Sequence, residues 1–279
     1  MKIINKKVIA KHKNARVVRL EVASPLIAKM AKPGQFVILM VEEFGERFPL
    51  TVVDKNIEKS TISLIVQEIG LTTKLLGELV PGDSFYALAG PLGQATKIKN
   101  YGKVILVGGG VGIAEIYPVA KALNQAGNII TTIIGAKTKD LLILEDELRA
   151  VSNDFYATTD DGSAGQKGFV TDILKELLNY NLKLKTCNLA YAVGPIPMMK
   201  AVSLVTKPRK IKTLVSLNAL MVDATGMCGS CRVTVDGKVK FSCLDGPEFN
   251  AHLVNWDELE KRNRIYEDKE KHICNLHKL

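Results

Sequence analysis

No run of apolar residues in this 279-residue chain approaches the roughly 20 that a membrane-spanning helix requires. The longest apolar region, Val104 to Ala122, is broken by glycines, Glu115, Pro118 and Lys121, so no membrane partner is expected. The opening residues, MKIINKKVIAKHK, lack the apolar middle of a secretory signal. Cysteine is scarce: three of the five fall in one short motif, which argues against a disulfide framework and for a reducing cytoplasm. Histidine is scarcer still. His12, His252, His272 and His277 form no ligand or triad spacing, and a surface position is expected for each. The net charge of +9 is spread along the chain, without the basic stripe and interleaved aromatics of a nucleic-acid binder. A lysine-rich solvated surface accounts for it, although a basic face would also steer an acidic redox partner.

What remains is ordinary globular material, 47% hydrophobic and 24% charged, in a chain long enough for two or three domains. Residues 1 to about 97 read as short strands: Ala15 to Val22, Gln35 to Val41, Leu50 to Val53, Thr61 to Gln67 and Ser84 to Ala89. Turn pairs Pro33-Gly34 and Pro81-Gly82 separate them, and this even spacing predicts an antiparallel β-barrel. Gly90-Pro91-Leu92-Gly93 then reads as a break. From about 98 to 213 strands alternate with helices: Lys103 to Val107, helix Ile113 to Ala126, Ile129 to Ile134, helix Asp172 to Leu178, and Leu189 to Val193. That order predicts a parallel α/β sheet with right-handed crossovers. Residues 214 to 279 hold the cysteine motif and end in a charged helix, Trp256 to Lys271, expected to face solvent with pairs such as Glu258 with Arg262 and Glu260 with Arg264.

The motif reads D-x4-C-x2-C-x11-C over Asp223, Cys228, Cys231 and Cys243. Its first part has the C-x4-C-x2-C spacing of a plant-type 2Fe-2S site, with aspartate in the first cysteine's place. The next stretch explains how the fourth donor returns. Arg232 to Val235 and Lys238 to Phe241 flank Asp236-Gly237, a pair suited to a two-residue type I′ turn. That turn sets Val235 opposite Lys238 and Cys231 opposite Ser242, bringing Cys243 back beside Cys231. Gly226 and Gly229 supply the positive φ and close approach that a loop wrapped around a cluster needs. Tetrahedral zinc also accepts thiolates and a carboxylate, but the x4 arm and the hairpin return favour iron and sulfide. Asp223 is the weakest of the four ligands, because carboxylate oxygen is a harder donor than thiolate.

A second signal precedes it. Val107 runs into Gly108-Gly109-Gly110-Val111-Gly112 and then a helix, an arrangement that lets a pyrophosphate approach backbone amides and the positive end of the helix dipole. The spacing departs from G-x-G-x-x-G, and Gly135-Ala136-Lys137 stands where an acidic ribose ligand would end the second strand. Glycines that merely permit tight strand-to-helix packing are the structural alternative. Lys137 and Lys139 leave NADH and NADPH both open.

Together, a barrel block, a glycine-loop α/β block and an iron-sulfur tail resemble the ferredoxin reductase-like flavoprotein family. The resemblance implies FAD on the barrel, NAD(H) on the α/β domain and a 2Fe-2S cluster at the end of an electron path. Arg47-Phe48-Pro49-Leu50-Thr51 stands where the family's flavin strand R-x-Y-[ST] lies: Thr51 takes the hydroxyl position that meets the isoalloxazine, Leu50 replaces the tyrosine, and Arg47 comes one residue early. Gly70-Leu71-Thr72-Thr73 matches the phosphate-binding G-x-x-[ST], with helix capping as the plainer role of its threonines. The family's G-I-A-P becomes Gly112-Ile113-Ala114-Glu115. Thr159-Asp160-Asp161-Gly162 and Gly194-Pro195 look like the later nucleotide loops. Four cysteines bind the cluster in the dihydroorotate dehydrogenase electron-transfer branch. The Asp-plus-three-Cys tail resembles instead the small subunits of NADH-dependent reduced ferredoxin:NADP oxidoreductases, also described as sulfide dehydrogenase subunits. That implies electron bifurcation in a heterodimer whose larger subunit carries flavin and 4Fe-4S clusters and binds NADP(H) and ferredoxin. Dihydroorotate dehydrogenase, a sulfur reductase, or a non-enzymatic nucleotide-binding module with structural zinc are the competing readings.

Overall fold

The structure is a computed structural model that describes residues 1–13, 15–180 and 187–276. The N-terminal strands begin with a hairpin, β1 (Ile3–His12) and β2 (Ala15–Ala23). A short helix α1 (Pro25–Met30) leads to β3 (Phe36–Met40), β4 (Arg47–Thr51), β5 (Asp54–Asn56) and β6 (Thr61–Glu68), then helix α2 (Leu71–Glu78) and β7 (Ala87–Leu92). They form two antiparallel sheets, ordered β1-β2-β6-β5 and β4-β3-β7. Period-2 alternation decides what each strand buries. Val18, Leu20 and Val22 of β2 pack with Ile62, Leu64 and Val66 of β6 in the N-terminal core. Their neighbours Val17 and Ile65 point the other way, into the core of the α/β unit. The N-terminal sheets are thus packed against that unit rather than tethered to it.

The sequence reading misses β1, whose Asn5, Lys6 and Lys7 mask the alternation; it is an edge strand, where lysines discourage pairing with another chain. The expected strand Ser84 to Ala89 lies instead at Ala87–Leu92 and runs through Gly90-Pro91. Its edge position beside β3 tolerates a proline that a central strand would not.

The second unit comprises β8 (Lys103–Gly109), α3 (Gly112–Gln125), β9 (Ile129–Ala136), α4 (Glu145–Ala150), β10 (Asp154–Thr159), β11 (Gln166–Lys167), α5 (Val170–Tyr180), β12 (Leu189–Val193), α6 (Ile196–Thr206) and β13 (Thr213–Ser216). After it come the hairpin β14 (Arg232–Val235) and β15 (Lys238–Phe241), β16 (Glu248–Asn250), and helices α7 (Trp256–Asn263) and α8 (Glu267–Leu276). The large sheet runs β11-β10-β9-β8-β12-β13-β16, parallel except for β16. Val104 to Val107 are fully buried between its two helical layers, as a continuous apolar strand of a parallel sheet should be. Chain order reverses at β8 and β12, which opens a crevice at the carboxyl ends of those strands.

The pairing of β16 with β13 joins the cysteine segment to this sheet. Its terminal helix is not the single solvent-facing rod expected. It breaks between α7 and α8, and Leu259 is buried in the core. Arg262 donates from Nη2 to the Ser230 carbonyl at 3.1 Å rather than pairing with Glu258. Lys200 holds Asp257 at 2.6 Å and reaches Glu260 at 3.9 Å. Helix α7 is therefore a brace behind the cysteine loop. No helix among the described residues is long and apolar enough to cross a membrane.

Candidate functional site

The β14–β15 hairpin has the register that its turn dictates. Val235 pairs with Lys238 and Arg232 with Phe241, while Asp236 and Gly237 take φ of +53° and +69°, as a type I′ turn requires. The Ser242 amide donates to the Cys231 carbonyl at 3.0 Å, and the sulfurs of Cys231 and Cys243 lie 3.2 Å apart. Both are buried, and burial pushes the Cys243 thiol up to about 12. The other two donors form a second pair in the exposed loop. Asp223 accepts from the Thr225 amide at 2.9 Å and the Cys228 amide at 3.1 Å; the Thr225 bond above all holds its carboxyl below the usual range. Ser230, through its side chain first and its amide second, likewise holds the exposed Cys228 thiol down.

Among the described residues no three His, Cys, Asp or Glu side chains converge on one point. A mononuclear tetrahedral ion needs such convergence, whereas a two-iron cluster takes two donors on each iron. The two-plus-two layout of a carboxylate and three sulfurs therefore fits the cluster better than zinc. Beside Cys243, the buried Ser242 hydroxyl has no partner among the described residues. Gly226 has φ +83°, a left-handed backbone that favours glycine where the loop closes over the hairpin.

The crevice at the sheet's switch point is a cleft of about 780 Å³. Gly109, Gly110, Val111 and Gly112 form its floor, Gly194 and Pro195 one wall, and Asp160 with Lys137 its far end. Three of the glycines are packing devices as well: a Cβ on Gly108 would meet Ile116, one on Gly109 Met198, and one on Gly112 the backbone of Val193. Gly110 is different. Its φ is +56° and a Cβ would meet nothing within 4 Å, so it presents bare backbone to the cleft. Helices α3 and α6 both direct their N-termini here, a setting suited to a pyrophosphate.

Ala15, Val17, Gln67 and Ile69 of the N-terminal sheets form the opposite wall. On that side β4 carries Arg47, Pro49 and Thr51 on one face by alternation, while Phe48 and Leu50 pack against the N-terminal core. Arg47 is exposed, with its Nε 3.2 Å from the Met40 sulfur. The Thr73 hydroxyl accepts from the Gly70 amide at 3.1 Å and donates to the Gly70 carbonyl at 3.0 Å; it serves as a cap. Thr72 faces outward and donates to Glu46 at 2.7 Å. That bond draws the start of β4 to the start of α2, so the two stretches singled out in the sequence lie side by side.

Two groups that sequence reading did not place in the site stand between these parts. Glu115, in the first turn of α3, lines the cleft near Thr51; loss of solvation raises its carboxyl to about 7. Glu248 of β16 accepts from Tyr191 at 2.9 Å and from Thr96, and burial raises its carboxyl as well. The signal for Glu115 was a lone acid among apolar residues at a helix start. His252 departs from the expected surface role: its Nε2 lies 3.0 Å from the Thr206 hydroxyl. Among the histidines, His277 lies outside the described residues, as does the side chain of Cys274.

Residues 106–204 match the oxidoreductase NAD-binding domain, and residues 218–255 match the iron-sulfur cluster binding domain of dihydroorotate dehydrogenase B. The chain is 50% identical to a homolog of the dihydroorotate dehydrogenase B (NAD(+)) electron transfer subunit from Thermotoga maritima, over 89% of this chain and 86% of that protein. It is 34% identical to the corresponding subunit of a Geobacillus species, over 91% and 97%. Among solved structures, that of an NADH-dependent reduced ferredoxin-NADP oxidoreductase superposes with a TM-score of 0.91 at 46% identity, covering 100% of this chain and 98% of the other. A glycine cleft facing antiparallel sheets, a paired Asp-Cys loop and these likenesses agree, and the chain belongs to the family of dihydroorotate dehydrogenase B-type electron transfer subunits, within the ferredoxin reductase-like oxidoreductases.

Proposed function

We propose that this chain is the NADH-side electron-transfer subunit of a bifurcating NADH-dependent ferredoxin:NADP oxidoreductase. The observation that carries this reading is the arrangement of donors, the Asp223 carboxylate on the Cys228 amide and the Cys231 and Cys243 sulfurs side by side, in a chain that aligns end to end with such an oxidoreductase. Its cofactors are FAD, a 2Fe-2S cluster and NAD(H). When bound, the nicotinamide supplies a hydride, the flavin divides its two electrons, and the cluster accepts them singly.

The protein's contribution is to hold and orient. Residues 1–97 serve as the FAD-binding barrel, with Arg47, Pro49 and Thr51 along the flavin, Leu50 packed behind them on the core face, and Gly70, Thr72 and Thr73 at its phosphates. Residues 98–213 serve as the NAD(P) unit, with Gly108 to Gly112, Asp160, Gly194 and Pro195 around the dinucleotide. Residues 214–279 serve as the cluster unit, in which Asp223, Cys228, Cys231 and Cys243 are the ligands. A larger flavin and 4Fe-4S subunit receives the electrons and handles NADP(H) and ferredoxin in a cytoplasmic heterodimer. Relatives named for dihydroorotate dehydrogenase B support a second reading, in which the partner is that enzyme's catalytic subunit.

Anaerobic purification with the native partner tests both readings. The expected product has flavin and 2Fe-2S absorbance and a partner rich in 4Fe-4S iron. A partner with flavin alone that oxidises dihydroorotate favours the second reading, and a colourless, zinc-containing protein sinks both. A sharper test of the ligand set is Asp223→Ala. It is expected to retain FAD while holding the cluster at least ~10-fold more weakly, since even groups that only orient a ligand are worth that much. Iron and acid-labile sulfide per FAD measure it, and an unchanged ratio removes Asp223 from the ligands.

A further inference from the structure

Glu115 has no role in holding the dinucleotide by charge, because a carboxylate at the start of a glycine-loop helix would repel a pyrophosphate. It stands where the two halves of the cleft meet. It projects from the first turn of α3 into the cleft, and Thr51 of β4 lies near enough across the interface to lower its carboxyl. Resting on the reading of β4 as the flavin strand, this places the carboxyl beside the residue that would meet the isoalloxazine. Loss of solvation raises its carboxyl and Thr51 lowers it. The other groups near it are Tyr191 of β12, which feels its charge, and Glu248 of β16 and Thr96 beyond that phenol. Lys137 and Asp160 line the far end of the same cleft.

We propose that Glu115 is a redox-linked protonation site that sets the pH dependence of the flavin's potential. Hydride transfer adds two electrons and one proton, leaving the flavin site with one more negative charge. In a partly desolvated cleft an added charge is costly beside another of the same sign. The Glu115 carboxylate takes a proton from water in the cleft and cancels the added charge. When the electrons leave singly for the oxidised cluster, the hydride's proton and the Glu115 proton both return to water, so charge and mass balance over the cycle. Glu115 acts through Thr51 and the field rather than by touching substrate, and is a positioning residue in this sense.

The sign follows from its titration. Below about pH 7 the carboxyl is already protonated with the flavin oxidised, and no extra proton is taken up. Above that, and up to the still higher value it reaches beside reduced flavin, reduction draws in a proton and the potential falls more steeply with pH. Glu115→Gln is neutral throughout and is expected to lose the steep region, matching wild type near pH 6 and having the higher flavin potential near pH 9.

The measurement is a spectroelectrochemical titration of bound FAD in the purified holoprotein from about pH 6 to about pH 9, with FAD content recorded for each variant. Glu115→Asp is expected to restore part of the steep region. Parallel curves in wild type and Glu115→Gln, both with full FAD, overturn the inference. Should the Gln variant lose FAD, the wild type decides alone: a slope without a break near pH 7 overturns the inference, and a steeper slope above it supports the inference. A wild-type protein that binds no FAD overturns instead the flavin reading on which this rests.

Discussion

Replacing Cys231 with serine is expected to strip the cluster from the protein while leaving FAD in place. Cys231 is 2% exposed and lies 3.2 Å from Cys243, at the base of a hairpin whose register its turn fixes. A serine there keeps the fold, because the hydroxyl is smaller than the thiol and the Ser242-to-Cys231 backbone bond is untouched. What it loses is the soft anionic donor that iron-sulfur clusters require. Groups that merely orient a ligand are worth about 10–100-fold in metal affinity, so loss of the ligand itself is expected to exceed ~100-fold and leave iron and sulfide near background. Reduction of bound flavin by NADH should persist, whereas transfer to a one-electron acceptor should collapse. Cys187→Ser is the control. That thiol is buried, bonded to the Leu189 carbonyl at 3.3 Å and raised by burial to about 11, and its removal should leave iron content unchanged. A Cys231→Ser protein with wild-type iron and sulfide would overturn the ligand assignment.

The cysteine hairpin was legible because a two-residue turn leaves no freedom: once Asp236-Gly237 is read as type I′, every cross-strand pair follows. The glycine loop was legible for a similar reason, since few other uses exist for bare backbone between a buried strand and a helix. Contacts between distant stretches were not. Thr51 and Glu115 belong to different units, and neither motif contains a hint of the other. Glu248 is hidden likewise: its burial depends on Tyr191 and on Thr96 beside Gly34, where a Cβ would meet the Thr96 hydroxyl. The charged helix was misread because its i,i+4 pairs were equally consistent with solvent exposure and with Arg262 being drawn to Ser230. Local pattern fixes a register or a loop, while the partner that captures a long side chain is decided by packing.

Packing also determines what happens when the glycine loop is altered. Gly112→Ala is expected to destabilise the protein by about 2–4 kcal/mol and to lower its melting temperature by roughly 4–16 °C for a chain of this size. A Cβ at Gly112 would lie 2.5 Å from the Val193 carbonyl oxygen, 2.7 Å from its carbon and 2.8 Å from the Gly194 Cα. All three are backbone atoms at the end of a central strand, so no side chain can swing aside. Relief requires α3 to lift from β12, which moves the amides that face the cleft. Gly110→Ala separates folding from binding two residues earlier. Nothing lies within 4 Å of its added methyl, and the left-handed φ of +56° costs about 1–2 kcal/mol. Its methyl instead occupies the cleft where the dinucleotide backbone approaches, and NADH affinity is expected to fall ~10-fold or more, about 1.4 kcal/mol. Thermal unfolding followed by NADH titration of both variants distinguishes the effects. Equal melting temperatures for Gly112→Ala and wild type would show that α3 does not depend on its contact with β12, and unchanged NADH binding in Gly110→Ala would move the dinucleotide away from the glycine loop.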